Sequence, residues 1–184
     1  MRKVEVVPHN PQWREVFKVE SQQISEVLGE NCAIVHHIGS TAIPGIYAKP
    51  IVDFLVEVKD ITKVNKQTPE MESLGYEAMG EYGISGRRYF RKDNALGVRT
   101  HHVHIFEVGS AEIKRHLAFR DYAIAHPEEA QQYSDLKRDL AQKYPHDIEG
   151  YMDGKDGFIK EMQRKATQWK IRQCPPKHRS PHQP

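Results

Sequence analysis

From residue 12 to residue 28 the apolar side chains Trp13, Val16, Phe17, Ile24, Val27 and Leu28 recur at the spacing of one helix face. They predict a helix over 12–28 with Gly29 as its C-cap. Ahead of it, residues 2–7 alternate well enough for a strand, which His9-Asn10-Pro11 then breaks. Two strands are expected at 32–38 and 51–58, and the second, IVDFLVEV, is apolar enough to be covered on both faces. A weaker helix over 60–74 contains Pro69 and closes at Gly75, followed by short strands at 76–79, 87–92 and 98–106. After Gly109 the period becomes helical. Ser110 caps a segment running to residue 125, and Pro127 and Pro145 divide the remainder into helices at 128–144 and 147–170. The closing CPPKHRSPHQP holds four prolines and no core pattern, so disorder is expected there.

This order of elements predicts an α+β fold. An α/β core would span 1–109, a helical region packed on it 110–172, and a disordered tail 173–184. A content of 38% hydrophobic and 28% charged residues suits a globular chain rather than a membrane or disordered one. The net charge of +2 is too near neutral to argue for a nucleic-acid partner. Cys32 and Cys174 do not make a disulfide framework. The opening residues lack the apolar run of a signal peptide and no segment reaches membrane-spanning length, so a cytoplasmic setting is expected.

The chemistry concentrates in HHIGSTAIPGIYAKPIVDFLVEV, residues 36–58. Gly39 ends a strand where backbone N–H groups can approach a ligand, and Ser40 and Thr41 add hydroxyls, a pattern suited to phosphate. The same triplet also serves as a plain helix cap. Asp53 lies in an apolar strand, where an ionised carboxylate is costly unless it meets a metal or a buried cation such as Lys49 or Arg88. In RTHHVHIF, His102 and His104 share one strand face and His101 takes the other. With Asp53 they form a candidate metal set suited to Zn²⁺, Mn²⁺ or Fe²⁺, whereas Mg²⁺ prefers oxygen ligands. His104, deeper in the apolar run, is the better candidate to line the Asp53 pocket and serves alternatively as a general base. The ordinary alternative is a polar sheet face of hydrogen-bonded histidines. Lys49, Arg88 and Lys155 are the candidate cations for a phosphate.

The 36–58 stretch resembles the signature of the GrpB family, a group placed within the nucleotidyltransferase superfamily. VVPHNPQW, RRYFRKD, RTHHVHIF, HLAFRDYAIAHPEEAQQYSDLKRDLA and YMDGKDGFIKEM resemble it too. The resemblance implies a nucleotidyltransferase-like mixed sheet flanked by helices, with a helical C-terminal region. It implies a nucleoside triphosphate substrate, a divalent metal (Mg²⁺ or Mn²⁺), and nucleotidyl or phosphoryl transfer to a small-molecule acceptor of unspecified structure. In several nucleotidyltransferases a basic residue from the helical part binds phosphate, which favours Lys155 and Arg120. One departure matters. The superfamily places a second carboxylate two residues after the first, and here that position is Leu55. Glu57 shares the face of Asp53 but lies about 13 Å along the strand, too far to hold the same ion. Two other readings therefore stay open: a non-catalytic nucleotide- or phosphate-binding module, and a His/Asp metal-dependent hydrolase.

Overall fold

The computed structural model describes residues 3–173. Five segments pair as strands: β1 (Cys32–Ile38), β2 (Val52–Val58), β3 (Tyr76–Ala78), β4 (Arg88–Asp93) and β5 (Arg99–Glu107). They make one mixed sheet in the order β1-β2-β5-β4-β3, with β2 and β5 parallel and the other pairs antiparallel. The helices are α1 (Gln12–Leu28), α2 (Thr68–Ser73), α3 (Ala111–Ala125), α4 (Pro127–Lys143) and α5 (Ile148–Gln173). The fold is therefore α+β with a helical C-terminal part. Among the described residues no helix is long and apolar enough to cross a membrane.

The composition of β2 explains its place inside the sheet. Val52, Phe54, Val56 and Val58 pack with Val103 and Ile105 of β5 against Trp13, Ile24 and Leu28 of α1. On the other face Leu55 packs with Ile38, Phe106 and Ile113 beneath α3. A strand apolar on both sides of its pleat is stable only between two layers. Helices α3, α4 and α5 build a separate apolar cluster that includes Ala118, Tyr122, Tyr133 and Met162, and it captures Ile43 and Ile46 from the β1–β2 connection. That capture ties the helical part to the segment leading into β2.

Three expected elements differ. Residues 2–7 form no strand within the described range; Val7 makes an isolated bridge to Ala48, and the Val4 amide donates to the Pro145 carbonyl (2.8 Å). The cause is Val4, which packs with Leu140 and Tyr151 and so ties the segment to the helices instead of the sheet. The helix expected over 60–74 divides into a 3-10 stretch, Ile61–Gln67, and α2, because Pro69 is accommodated only in a first helical turn. The last helix continues to Gln173, three residues past its expected end, and the remainder of the expected tail lies outside the described residues.

Phe54 is fully buried at the centre of this arrangement, with Phe17 on one side (5.4 Å between rings) and His101 on the other (5.7 Å). Phe54→Ala is expected to cost about 3–5 kcal/mol. A lowered urea midpoint would show this, and a wild-type midpoint would contradict the packing described.

Candidate functional site

The parallel register of β2 and β5 sets Asp53 beside His102 and Leu55 beside His104. Asp53 Oδ1 accepts a hydrogen bond from His102 Nδ1 (3.1 Å) and lies 3.6 Å from His104 Nε2. One donor atom from each of the three residues falls within 4.8 Å of the others. Burial pushes the Asp53 carboxyl up. The hydrogen bonds and charge interactions of the two imidazoles outweigh that effect and hold it well below the usual carboxylate range.

The two histidines differ in role. Arg87 is buried and anchored by the carbonyls of Glu81 (3.1 Å) and Tyr82 (2.7 Å), and its Nη1 lies 3.4 Å from His104 Nδ1. A guanidinium only donates, so His104 Nδ1 accepts and Nε2 carries the hydrogen that faces Asp53. Tyr89 and His116 close over the same ring, 5.2 and 5.7 Å away. His102 instead borders the cavity described next. Of the two candidates to line the pocket, His102 rather than the preferred His104 borders the cavity, while His104 stays beside Asp53.

That cavity, of about 220 Å³, is lined by Ser40, Asp53 and His102 from the sheet side and by Lys49, Lys137 and Lys155. Gly39 does not border the cavity itself but packs against the Asp53 carboxylate. Its φ of +72° lies in the region that favours glycine, and a Cβ there would come within 2.5 Å of Asp53 Oδ2. Lys137 Nζ donates to Ser40 Oγ (2.8 Å) and to the Tyr47 carbonyl (2.5 Å), and lies 4.4 Å above the Tyr133 ring. Burial, reinforced by the charge of Lys155, lowers its ammonium to about 7. Lys155 is lowered to about 8, first by burial and then by Lys49, with Asp53 opposing. An anion in this cavity would relieve both costs.

Lys137 was not among the residues expected from the sequence. Its signal is a lysine on the stripe of α4 that carries the buried residues Ala130, Tyr133, Ser134 and Leu140. Of the expected residues, Ser40, Lys49, Asp53, His102 and Lys155 border the cavity. Thr41 does not. It is buried, with Oγ1 hydrogen-bonded to His37 Nε2 (2.9 Å), and borders a different cavity shared with Phe17 and Arg120. Arg120 donates to the His37 carbonyl (3.1 Å) and pairs with Asp121. Arg88 is in register with Ile105, so it lies on the α1 face, opposite Asp53, where Nε donates to Asn65 Oδ1 (2.6 Å). Glu57 is taken by His36 (2.8 Å). Leu55 belongs to the apolar cluster under α3, so the position of a second carboxylate is filled by packing.

The family model described as GrpB protein matches residues 3–165. The chain belongs to the GrpB family. Over 169 residues it is 46% identical to the UPF0157 protein YqkA of Bacillus subtilis, covering 92% of this chain and 49% of YqkA, so it spans about half of that relative's length. It is 35% identical over 160 residues to the glutamate-rich protein GrpB of Alkalihalophilus pseudofirmus, covering 85% of this chain and 92% of that protein. The crystal structure of the conserved protein GrpB from Enterococcus faecalis superposes with a TM-score of 0.86 at 47% identity, over 90% of this chain and 99% of that one.

Two expectations follow for this GrpB-family site. Gly39→Ala should cost about 1–3 kcal/mol through strain and the collision with Asp53, read as a lower urea midpoint; an unchanged midpoint would contradict the turn geometry. Lys137 has a folded value near 7 against an ordinary 10.5, so between these the unfolded chain binds more protons and stability rises with pH. Relative to wild type, Lys137→Met should therefore be most favoured near pH 6 and lose ground toward pH 10. Denaturation curves at the two pH values check the sign, and the opposite trend would refute it.

Proposed function

We propose that this GrpB-family protein binds a nucleoside triphosphate together with a divalent metal and transfers a nucleotidyl or phosphoryl group to a small-molecule acceptor. The observation that carries the reading is one cavity bordered at once by Ser40 of the Gly-Ser turn, the Asp53 carboxylate and three lysines. In this reading Lys49, Lys137 and Lys155 hold the outer phosphates, and Ser40 with the Gly39 turn fixes their position. A cytoplasmic setting belongs to the same proposal.

The donors suit a metal. Asp53 Oδ1 and His102 Nδ1 are 3.1 Å apart, the spacing of two ligands that each sit about 2.0–2.1 Å from one ion. They would hold it by giving up the hydrogen they share. A mixed oxygen and nitrogen pair suits Mn²⁺ or Zn²⁺ better than Mg²⁺. When bound, the ion would neutralise charge on the transferring group. His104 is assigned a different part from the expected ligand or base: its lone pair faces Arg87 and its N–H faces Asp53, so it orients the carboxylate. With Leu55 packed away and Glu57 paired to His36, one carboxylate faces the cavity, and neutralisation rests heavily on the lysines. That single carboxylate also favours a second reading, a nucleotide-binding module without transfer.

Calorimetric titration with a non-hydrolysable ATP analogue, with and without Mn²⁺, tests the site. Wild type should bind more tightly with Mn²⁺. Asp53→Asn should lose that increment while keeping metal-free binding through the lysines. An equal Mn²⁺ effect in Asp53→Asn would overturn the metal assignment. With hydrolysable ATP and a pool of small-molecule acceptors, pyrophosphate release marks nucleotidyl transfer, ADP marks phosphoryl transfer, and neither product supports the binding module.

A further inference from the structure

A second cavity adjoins the first. It measures about 570 Å³ and shares Lys49, Ile51 and His102 with the anion cavity. Part of its wall is aliphatic: Val4 from the N-terminal segment, Pro50 and Ile51 ahead of β2, Val98 ahead of β5, and Ile148 at the start of α5, while charged side chains that include Arg99 and Asp147 line the rest. Val98 and Ile148 are 43% and 48% exposed, and they come from segments far apart in sequence. Apolar side chains left open on several walls of one concavity mark a place where something apolar docks.

Size separates the two spaces. Pockets that enclose a drug-sized ligand hold about 300–1,000 Å³. The anion cavity, at about 220 Å³, is too small for phosphates, sugar and base together, whereas the aliphatic one falls inside the range. A further cavity of about 400 Å³, the one bordered by Thr41, shares no lining residue with the anion cavity. The organic part of a ligand whose phosphates lie against Ser40 and Lys137 therefore has one adjoining space of suitable size among these three.

Resting on the nucleotide reading above, we propose that the aliphatic cavity holds the nucleoside moiety, with its base between Ile51, Val98 and Ile148 and with His102 at the seam between nucleoside and phosphates. Among the described residues no aromatic side chain lines the cavity apart from His102 and His146, so the base is held by aliphatic contact rather than by stacking on a tyrosine, phenylalanine or tryptophan. Charged groups in the same lining, among them Lys3, Glu5, Arg99 and Glu149, would meet ribose hydroxyls and base edges.

The test compares inorganic triphosphate with a non-hydrolysable ATP analogue, both with Mn²⁺, by calorimetry on the full chain. Wild type and Val98→Asn/Ile148→Asn are compared; both replaced side chains are exposed and the substitution adds no charge, and melting curves confirm folding. Wild type should bind the analogue more tightly than triphosphate, and the double variant should weaken the analogue by about tenfold while leaving triphosphate unchanged. Equal binding of both compounds by wild type would overturn the inference, as would an equal loss of both in the variant or an unchanged analogue affinity. If wild type bound neither compound, the phosphate reading itself would fall, and that result is distinct from the others.

Discussion

The structure depends on the parallel pairing of β2 with β5. Shifted by one residue, that register would turn Asp53 toward α1 and seat an apolar side chain where the carboxylate now meets His102. The apolar residues of β2 resist the shift, because Val52, Phe54, Val56 and Val58 would all leave their core at once. The site is therefore fixed by packing on the face opposite to the one it occupies. Gly39 completes the arrangement from β1, since only the absence of a side chain lets the turn close over Asp53.

The helical part supplies what the sheet lacks. One carboxylate and two imidazoles cannot neutralise a polyanion, and the lysines of α4, α5 and the β1–β2 connection surround the same space. Burying ammonium groups opposes folding, and burial first, then neighbouring lysine charge, lowers Lys137 and Lys155 below the ordinary lysine range. Hydrogen bonds from Lys137 to Ser40 and Tyr47 offset part of it. Strain of this kind is tolerated where a ligand removes it.

Much of the fold was legible in the chain. Helices α1, α3, α4 and α5 followed from apolar spacing and from Pro127 and Pro145, and β2 from an apolar run interrupted only by Asp53 and Glu57. Asp53 was legible for the same reason, as a carboxylate in a strand with no solvent face. Strand alternation also separated His101 from His102 and His104. Alternation tells which residues share a face, but not which face holds the site, and Arg88, a candidate cation for the phosphate, lies on the opposite face. Nor does it tell how far a cavity reaches, so His104 was preferred where His102 borders the cavity. Thr41 was lost to a local bond with His37, invisible without the turn's geometry. Lys137 carried a readable sign, a lysine on a buried stripe, but its partners lie some ninety residues earlier in the chain.

In the proposed function, phosphate and metal meet at the junction of the Gly-Ser turn, Asp53 and the lysines. A crystal soaked with a non-hydrolysable nucleoside triphosphate and Mn²⁺ tests it most directly. An anomalous manganese peak is expected between Asp53 Oδ1 and His102 Nδ1, with phosphate density reaching Ser40 and Lys137. Manganese bound away from Asp53, or phosphates lying outside the cavity bordered by Ser40 and Lys137, would contradict it.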